Sequence, residues 1–401
     1  MHEPAKNPPM TQTNTSVSLP ATALALLMAE AAAPQETLVP IQVAAPPELR
    51  AYRGARTPCE LDAPAKETAA MLSGVAVHDL GWLRRVAVEG EDRFRWLSGM
   101  VTNTVNELGA QAGAWNLVLN AQGHVLGDLH VWREGNGLSL VIAADQYDRL
   151  LAHLERFIIM DDVELAPRSE IALGLAGPLA GELLVRLEMP EPAEPLTSAS
   201  ADWNGLQLRV ARAYGLLVPH YELWTQAAGI PALWRALVEA GATAVGAATL
   251  EAFRIVEAIP AYGIDIVERD LPQEAVPAPP QVALNFNKGC YQGQEIVERI
   301  HSRGSVHRHL RPLEIFGPLP PAGTELMRND GVTAGEIRSA ALLLLATGNR
   351  SFALGMIRAE AEISPQRLKP VVGDSEIRSQ EFTYAGGTAH ILAAPPLLQL
   401  S

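Results

Sequence analysis

Lys288-Gly289-Cys290-Tyr291-Gln292-Gly293-Gln294-Glu295 sets one of the two cysteines of a 401-residue chain between two glycines. A thiol reacts as the thiolate, and nearby positive charge and a helix N-terminus both favour that form. Lys288 stands two residues before Cys290, and Ile296, Val297 and Ile300 follow at helical spacing up to Gly304. The spacing therefore predicts Cys290 just ahead of a short helix. Two readings stand side by side: an activated thiol, or a buried cysteine packed beside a tight glycine turn.

Around this run the charge balance inverts. Between Lys288 and Arg311 stand Lys288, Arg299, Arg303, Arg308 and Arg311 against Glu295 and Glu298, with His301, His307 and His309 among them. The whole chain carries −14. A local positive island of this kind suits an anionic ligand or partner, or a plain solvated surface.

The length calls for two or three domains. A hydrophobic content of 48% describes a globular chain. No apolar run reaches the ~18 residues of a membrane span, so no membrane partner is expected. Two cysteines exclude a disulfide scaffold and a protein-only cysteine-rich metal or iron–sulfur site, and suit a reducing cytoplasm. The acidic balance excludes strong direct nucleic-acid binding. Residues 1–47, rich in Ala, Pro, Thr and Ser, read as a disordered or mis-assigned extension, with Met10 as an alternative start.

Along the rest of the chain, residues 48–165 show strand patterns and two helices, with Ala121-Gln122-Gly123 as a hairpin turn and Asp92 and Asp145 as helix caps. Residues 166–245 read β-α-β-β-α-β, a ferredoxin-like α+β unit, with a Pro/Ala/Ser-rich loop after its first helix. Residues 246–311 hold a helix, a Pro-rich connector and the cysteine motif. Residues 312–401 read as short strands of a small β-barrel.

The 288–295 run resembles the signature of the YgfZ-type folate-binding proteins, relatives of the glycine cleavage T protein, an aminomethyltransferase. The resemblance covers nearly everything after residue 48. Val88 to Asn103 is similar to the family's V-x-G-x-D-x-x-x-F-L-x-x-x-x-T-N stretch, Leu119 to Leu129 to L-N-x-x-G-x-x-x-x-D-L, and Leu250 to Pro260 to L-R-x-E-x-G-x-P. Gly335 to Ser339 and Phe352 to Gly355 resemble its closing barrel.

This resemblance implies a three-domain cloverleaf, with residues 48–165 and part of 245–311 forming a folate-binding first domain. A central channel would hold tetrahydrofolate or a one-carbon derivative. It also implies a monomeric accessory protein whose partners are iron–sulfur client enzymes, including tRNA-modifying ones, or their assembly proteins. The alternative is folate-dependent aminomethyl transfer.

Cys290 and Asp128 are the candidate catalytic residues. Asn116, Asp128, Arg254, Glu257, Lys288 and Tyr291 are the candidate folate-binding residues, with Asn120 a further polar contact. Asp128 reads equally as a surface acid after a turn, and Arg254 with Glu257 as an i,i+3 ion pair. One departure stands out. T proteins carry G-Y-T-G-E-x-G-x-E, whose first Glu binds the pterin. In the matching residues 214–223 the first Glu position is apolar, and only Glu222 stays in register with the last Glu. An apolar side chain cannot supply the paired hydrogen bonds of a carboxylate.

Overall fold

Apolar residues that alternate along the strands of the first half build two sheets, each apolar on one face and mixed on the other. The computed structural model describes residues 19–31, 47–215, 218–276, 282–304, 306–362 and 380–399. The chain begins with α1 (Ala23–Ala31), the hairpin β1 (Leu49–Tyr52) and β2 (Ala55–Pro58), α2 (Pro64–Ser73) and β3 (Ala76–Asp79).

α1 lies inside the segment expected to be a disordered or mis-assigned extension. Leu24, Ala25 and Met28 are fully buried, and Leu24 and Met28 pack against Val77, Leu184 and Trp234. The buried Asp79 accepts hydrogen bonds from Thr22 Oγ1 and, at 2.9 Å, from Thr57 Oγ1. An Ala- and Leu-rich helix is ordered here by an apolar surface that composition alone does not reveal.

The first sheet comprises β4 (Leu83–Glu89), β5 (Gly113–Leu119), β6 (Val125–Glu134), β7 (Gly137–Ala143) and β8 (Glu164–Pro167), in the order β5-β6-β7-β4-β8. Helices α3 (Arg93–Met100) and α4 (Ala144–Glu155) cover one face, packing Trp96, Leu97, Leu150 and Leu154 against Val118, Leu129 and Val131. Neither helix has the cap its sequence suggests. Asp92 precedes α3 without a side-chain cap bond. Asp145 sits inside the first turn of α4 and pairs with Arg53 at 3.3 Å.

The second sheet takes β9 (Ile171–Ala176), β10 (Ser198–Trp203), β11 (Leu206–Arg212), β12 (His220–Thr225) and β13 (Thr243–Val245), with α5 (Ala180–Arg186) and α6 (Ile230–Glu239) on one face. Its order is β10-β11-β12-β9-β3-β13. Without β3 and β10 this is the ferredoxin-like βαββαβ arrangement. β3 enters between its first and last strands, pairing antiparallel with β9 and parallel with β13. β10 occupies part of the expected Pro/Ala/Ser-rich loop and turns into β11 through Asn204 and Gly205, both with positive φ (52° and 81°).

The chain then returns to the first sheet through α7 (Ala247–Val256), α8 (Pro272–Ala275) and α9 (Gln294–Arg303). Leu284, Tyr291 and Val297 cover Trp115, Leu117 and Leu119 of β5. Last comes a closed barrel, ordered β14 (Arg308–Phe316), β17 (Arg350–Arg358), β16 (Thr333–Leu343), β15 (Glu325–Met327), β18 (Glu381–Tyr384) and β19 (Gly387–Ile391). It starts at Arg308, slightly before the expected boundary. Two fully buried acids tie it to the return segment. Asp265 accepts from Ser339 Oγ at 2.5 Å, and Asp270 from Arg308 and Arg338 at 3.3 and 3.2 Å. The result is a three-domain mixed α and β fold with a ferredoxin-like centre and a C-terminal barrel. Among the described residues no helix is long and apolar enough to cross a membrane.

Candidate functional site

The mixed faces of the two sheets meet, and a cavity of ≈ 200 Å³ lies between them. Strand alternation decides what enters it. On β6, Leu129 and Val131 point into the first core, so Asp128 and His130 project from the opposite face. On the second sheet, Leu173, Leu223 and Val77 take the core, leaving His78 on β3 and His220 and Glu222 on β12 toward the cavity. Tyr52, Arg53, Trp82, Tyr214, Arg254 and Pro260 complete the wall.

Asp128 is held firmly. Its Oδ1 accepts from Gln146 Nε2 at 2.8 Å and its Oδ2 from Trp115 Nε1 at 3.1 Å, while its own N–H donates to Gln146 Oε1 at 3.0 Å. Trp115 stacks on Tyr214 with centroids 5.9 Å apart. The candidate acid of the sequence therefore does face the cavity rather than bulk water.

Among the described residues four ring nitrogens of the cavity lining are buried without a hydrogen-bond partner: His78 Nδ1, His130 Nε2, His220 Nε2 and Trp82 Nε1. Buried polar atoms are rarely left so without a ligand or water to satisfy them. Burial lowers the pKa of His130 and drives that of His78 down to about 3, the charge of His220 adding to the latter effect. Both rings are neutral near pH 7. Gly174 makes room for His78, since a Cβ there would lie 1.8 Å from the imidazole Cε1. None of these histidines stands out in sequence, because three separate strands supply them. The Asp128-x-His130 alternation is the one local signal. Among the described residues no three His, Cys, Asp or Glu side chains are grouped to hold a metal ion.

The other candidate residues are dispersed. Arg254 lines the cavity, but its donors are engaged. It bonds Glu251 at 2.5 and 3.0 Å, Asp265 at 2.5 Å and the Ile259 carbonyl at 2.6 Å. The expected Arg254–Glu257 pair is replaced by Arg254–Glu251, one turn earlier on the same helix. Glu257, 4% exposed, instead accepts the Val218 N–H at 3.2 Å through Oε1 and sets Oε2 3.4 Å from His220 Nε2. Val218 itself packs among Met71, Ala252 and Phe253, an apolar site.

Asn116 is fully buried and does not line the cavity. Its Oδ1 receives the Asn103 N–H at 2.6 Å and its Nδ2 reaches the Ala114 carbonyl at 3.1 Å. Asn120 caps its own hairpin, accepting the N–H groups of Gln122 and His124 at 3.0 Å each.

The cysteine motif lies beside the first sheet and outside the cavity lining. Lys288 donates to the carbonyls of Val101 and Asn103 at 2.6 and 2.8 Å and lies under the Tyr291 ring. Burial brings its pKa down to about 8. Gln292 N–H reaches the Gly99 carbonyl, and Thr102 and Asn103 donate to the carbonyls of Ala283 and Val282. These bonds join the 288–295 run to the Thr102-Asn103 end of the earlier motif. Tyr291 is buried with its hydroxyl unpaired. Cys290 is a free, exposed thiol ahead of α9, as the spacing predicts.

The C-terminal part of the positive island is neutralised by acids from elsewhere in the chain. Arg308 pairs with Asp270 and Glu274, and Arg311 and His309 with Glu362. His301 stacks on Phe286 at 3.8 Å. Long-range partners that the local sequence does not show account for the difference.

The family described as the GCVT N-terminal domain matches residues 49–276, more than half of the chain. A putative chloroplastic transferase of Arabidopsis thaliana is 24% identical over 72% of this chain and 66% of its own length, just under two thirds. An aminomethyltransferase of Rubrobacter xylanophilus is 28% identical over 66% of this chain and 72% of its own. The tRNA-modifying protein YgfZ of Yersinia pseudotuberculosis is 28% identical over 60% and 72%. In structure, the glycine cleavage system aminomethyltransferase T from Bartonella henselae superposes with a TM-score of 0.76 at 18% identity, covering 95% of this chain and 98% of that one. The chain belongs to the GCVT N-terminal domain family, as a YgfZ-type member related to the glycine cleavage T protein.

Proposed function

We propose that the chain binds tetrahydrofolate, or a one-carbon derivative, in the cavity between the two sheets. In this reading it is a cytoplasmic accessory protein for the assembly or repair of iron–sulfur enzymes, tRNA-modifying ones among them, with Cys290 as its working thiol. One observation carries the binding site: the unpartnered buried nitrogens of His78, His130, His220 and Trp82 surround a cavity that also holds Asp128. A mostly apolar cleft with a few convergent polar groups is the usual form of a small-molecule site.

The residues present fit a pterin. The enclosed volume of ≈ 200 Å³ suits a flat heteroaromatic ring, and Trp82 and Tyr214 offer aromatic surface. Asp128 would accept from ligand N–H groups, while Trp82 would donate. Bound there, tetrahydrofolate would supply a nitrogen able to carry a one-carbon unit. Asp128, fixed by Trp115 and Gln146, would hold a proton or positive charge beside it. The exposure of Cys290, and an apolar core at Val218 where T proteins place a glutamate, favour the accessory role over group transfer.

Calorimetric titration with tetrahydrofolate tests the site, and saturable one-to-one binding is the expected result. Complementation of cells lacking their own YgfZ-type protein tests the role. Activity of an iron–sulfur tRNA-modifying enzyme under oxidative stress should return with the native chain and not with Cys290→Ala. The second reading, aminomethyl transfer, draws on the fixed carboxylate of Asp128. One-carbon transfer to tetrahydrofolate from an aminomethyl donor would establish it.

A further inference from the structure

Asp79, 4% exposed at the end of β3, collects hydrogen bonds from three separate elements. Its Oδ1 accepts from the Gly81 N–H at 2.8 Å, inside the turn that leads to β4. Its Oδ2 accepts from the Thr57 hydroxyl on β2 at 2.9 Å and from the Thr22 hydroxyl ahead of α1. Thr22 is itself buried and works in both directions. While it donates to Asp79, its Oγ1 accepts the Ala25 N–H at 3.2 Å and so caps α1. A buried carboxylate satisfied in this way fixes its partners relative to one another, because losing any donor leaves a buried acceptor short of one.

Two of the three elements are walls of the cavity. The turn after Asp79 carries Leu80 and Trp82, and the β1–β2 hairpin carries Tyr52 and Arg53 at its tip. That tip packs on Trp82. The Tyr52 and Trp82 rings meet at 88° with centroids 5.5 Å apart, and the Arg53 guanidinium lies 5.8 Å from the Trp82 ring centroid. Trp82 Nε1 is one of the unpartnered cavity nitrogens, so its orientation matters to a ligand.

A two-stranded hairpin is marginal by itself. Here residues 20–22 run along the free edge of β2. The Arg56 N–H donates to the Pro20 carbonyl at 2.8 Å, and the Thr22 N–H to the Arg56 carbonyl at 3.0 Å. α1 then anchors this segment by burying Leu24 and Met28 in the second core. Residues 19–31 do not themselves line the cavity.

We propose that residues 19–31 form a positioning strap for the cavity ligand. Thr22 and Asp79 are its positioning residues, holding Trp82 and the Tyr52–Arg53 tip in place for a flat heteroaromatic ring. The proposal rests on the folate reading of the cavity, with tetrahydrofolate as the ligand. Coupling of this kind is reciprocal. A strap that stabilises the wall the ligand needs is itself stabilised by the ligand, without touching it.

The test combines calorimetric binding of tetrahydrofolate with amide hydrogen exchange, both on the full chain. Thr22→Val keeps the size of the side chain and removes both hydroxyl bonds, and it should weaken binding roughly tenfold. Thr22→Ser keeps both bonds and should bind within about twofold of the wild type. Leu97→Ala, in the first core and away from the strap, should lower the urea midpoint and leave affinity unchanged. In the wild type, saturating tetrahydrofolate should slow exchange of the Thr22, Ala25 and Leu26 amides several-fold and leave those of β18 and β19 in the barrel as they were. A Thr22→Val chain that is less stable but binds as the wild type does overturns the proposal. So does strap exchange that ignores the ligand, or that slows no more than exchange in β18 and β19. Each of these leaves the folate site standing. Absence of tetrahydrofolate binding to the wild type overturns the folate reading, and this proposal with it. Thermal melting confirms folding of each variant, and should Thr22→Val not fold, exchange in the wild type decides.

Discussion

Gly293 at the head of α9 meets Gly123 in the β5–β6 turn so closely that a Cβ on Gly293 would lie 3.2 Å from the Gly123 Cα. It would also lie 2.7 Å from the Asn120 carbonyl oxygen, and a Cβ on Gly123 would meet Ile296 at 2.8 Å. Both glycines have positive φ, 82° and 76°. The cysteine motif and the hairpin motif are two sides of one contact, and each needs glycine for two reasons. Gly293→Ala and Gly123→Ala should each lose about 2 kcal/mol in urea unfolding, combining left-handed strain with overpacking. Gly289→Ala is the control. A Cβ there meets nothing within 4 Å, so its stability should stay within about 0.5 kcal/mol of the wild type.

Ala258 carries strain of the same kind without the glycine. Its φ is +56°, directly after α7, at the place where the family motif has Gly. Ala258→Gly should stabilise the chain by roughly 0.5–1 kcal/mol, the left-handed penalty less the added freedom of the unfolded chain. A midpoint shift toward lower urea would show that the methyl group, buried beside α7, matters more than the backbone.

The parts of this fold that were legible in the sequence are local. The 288–295 run, the Gly123 hairpin and the strand alternation around Asp128 each depend on neighbours within a few residues. What remained hidden depends on distant ones. β3 enters the ferredoxin-like sheet from nearly a hundred residues upstream of β9, the strand it pairs with. Arg308 and Arg311 look like free charge until Glu274 and Glu362 are folded against them. The cavity histidines arrive from three strands. The β10–β11 hairpin was missed for a different reason, since Asn204-Gly205 is a turn signal that a Pro- and Ser-rich surrounding obscured.

His78 should give the fold an acid sensitivity. Burial depresses its pKa to about 3 in the folded chain, against about 6.5 when unfolded. Below pH 6.5 the unfolded chain therefore binds the extra proton, and stability falls as pH falls through that window. The loss from this residue should reach about 2 kcal/mol at pH 5. His78→Gln should lower stability at pH 7 but show a smaller decline from pH 7 to pH 5. Parallel urea midpoints for the two chains would contradict this assignment.

Asp128 faces the cavity, and its two oxygens are already oriented by Trp115 and Gln146. Asp128→Asn keeps the size and removes the charge. Charge-assisted hydrogen bonds exceed neutral ones, so tetrahydrofolate affinity should fall about tenfold to a hundredfold. Melting temperature should move far less than affinity. Unchanged affinity would return Asp128 to a purely structural acid between Trp115 and Gln146.

Cys290 offers the sharpest separation of stability from function. Its side chain is exposed, and Lys288 directs its ammonium to the carbonyls of Val101 and Asn103. The turn around the thiol is thus secured by groups other than the thiol. Cys290→Ala should leave the urea midpoint within about 0.5 kcal/mol, whereas Lys288→Ala, which strips the buried Val101 carbonyl and the half-buried Asn103 carbonyl of their partner, should cost about 2 kcal/mol. If Cys290→Ala remains this stable and still fails to support iron–sulfur enzyme activity in complementation, the loss belongs to sulfur chemistry rather than to folding. Full rescue by Cys290→Ala would assign the motif to the docking of α9 on the β5–β6 turn, with Gly293 and Lys288 as its working residues.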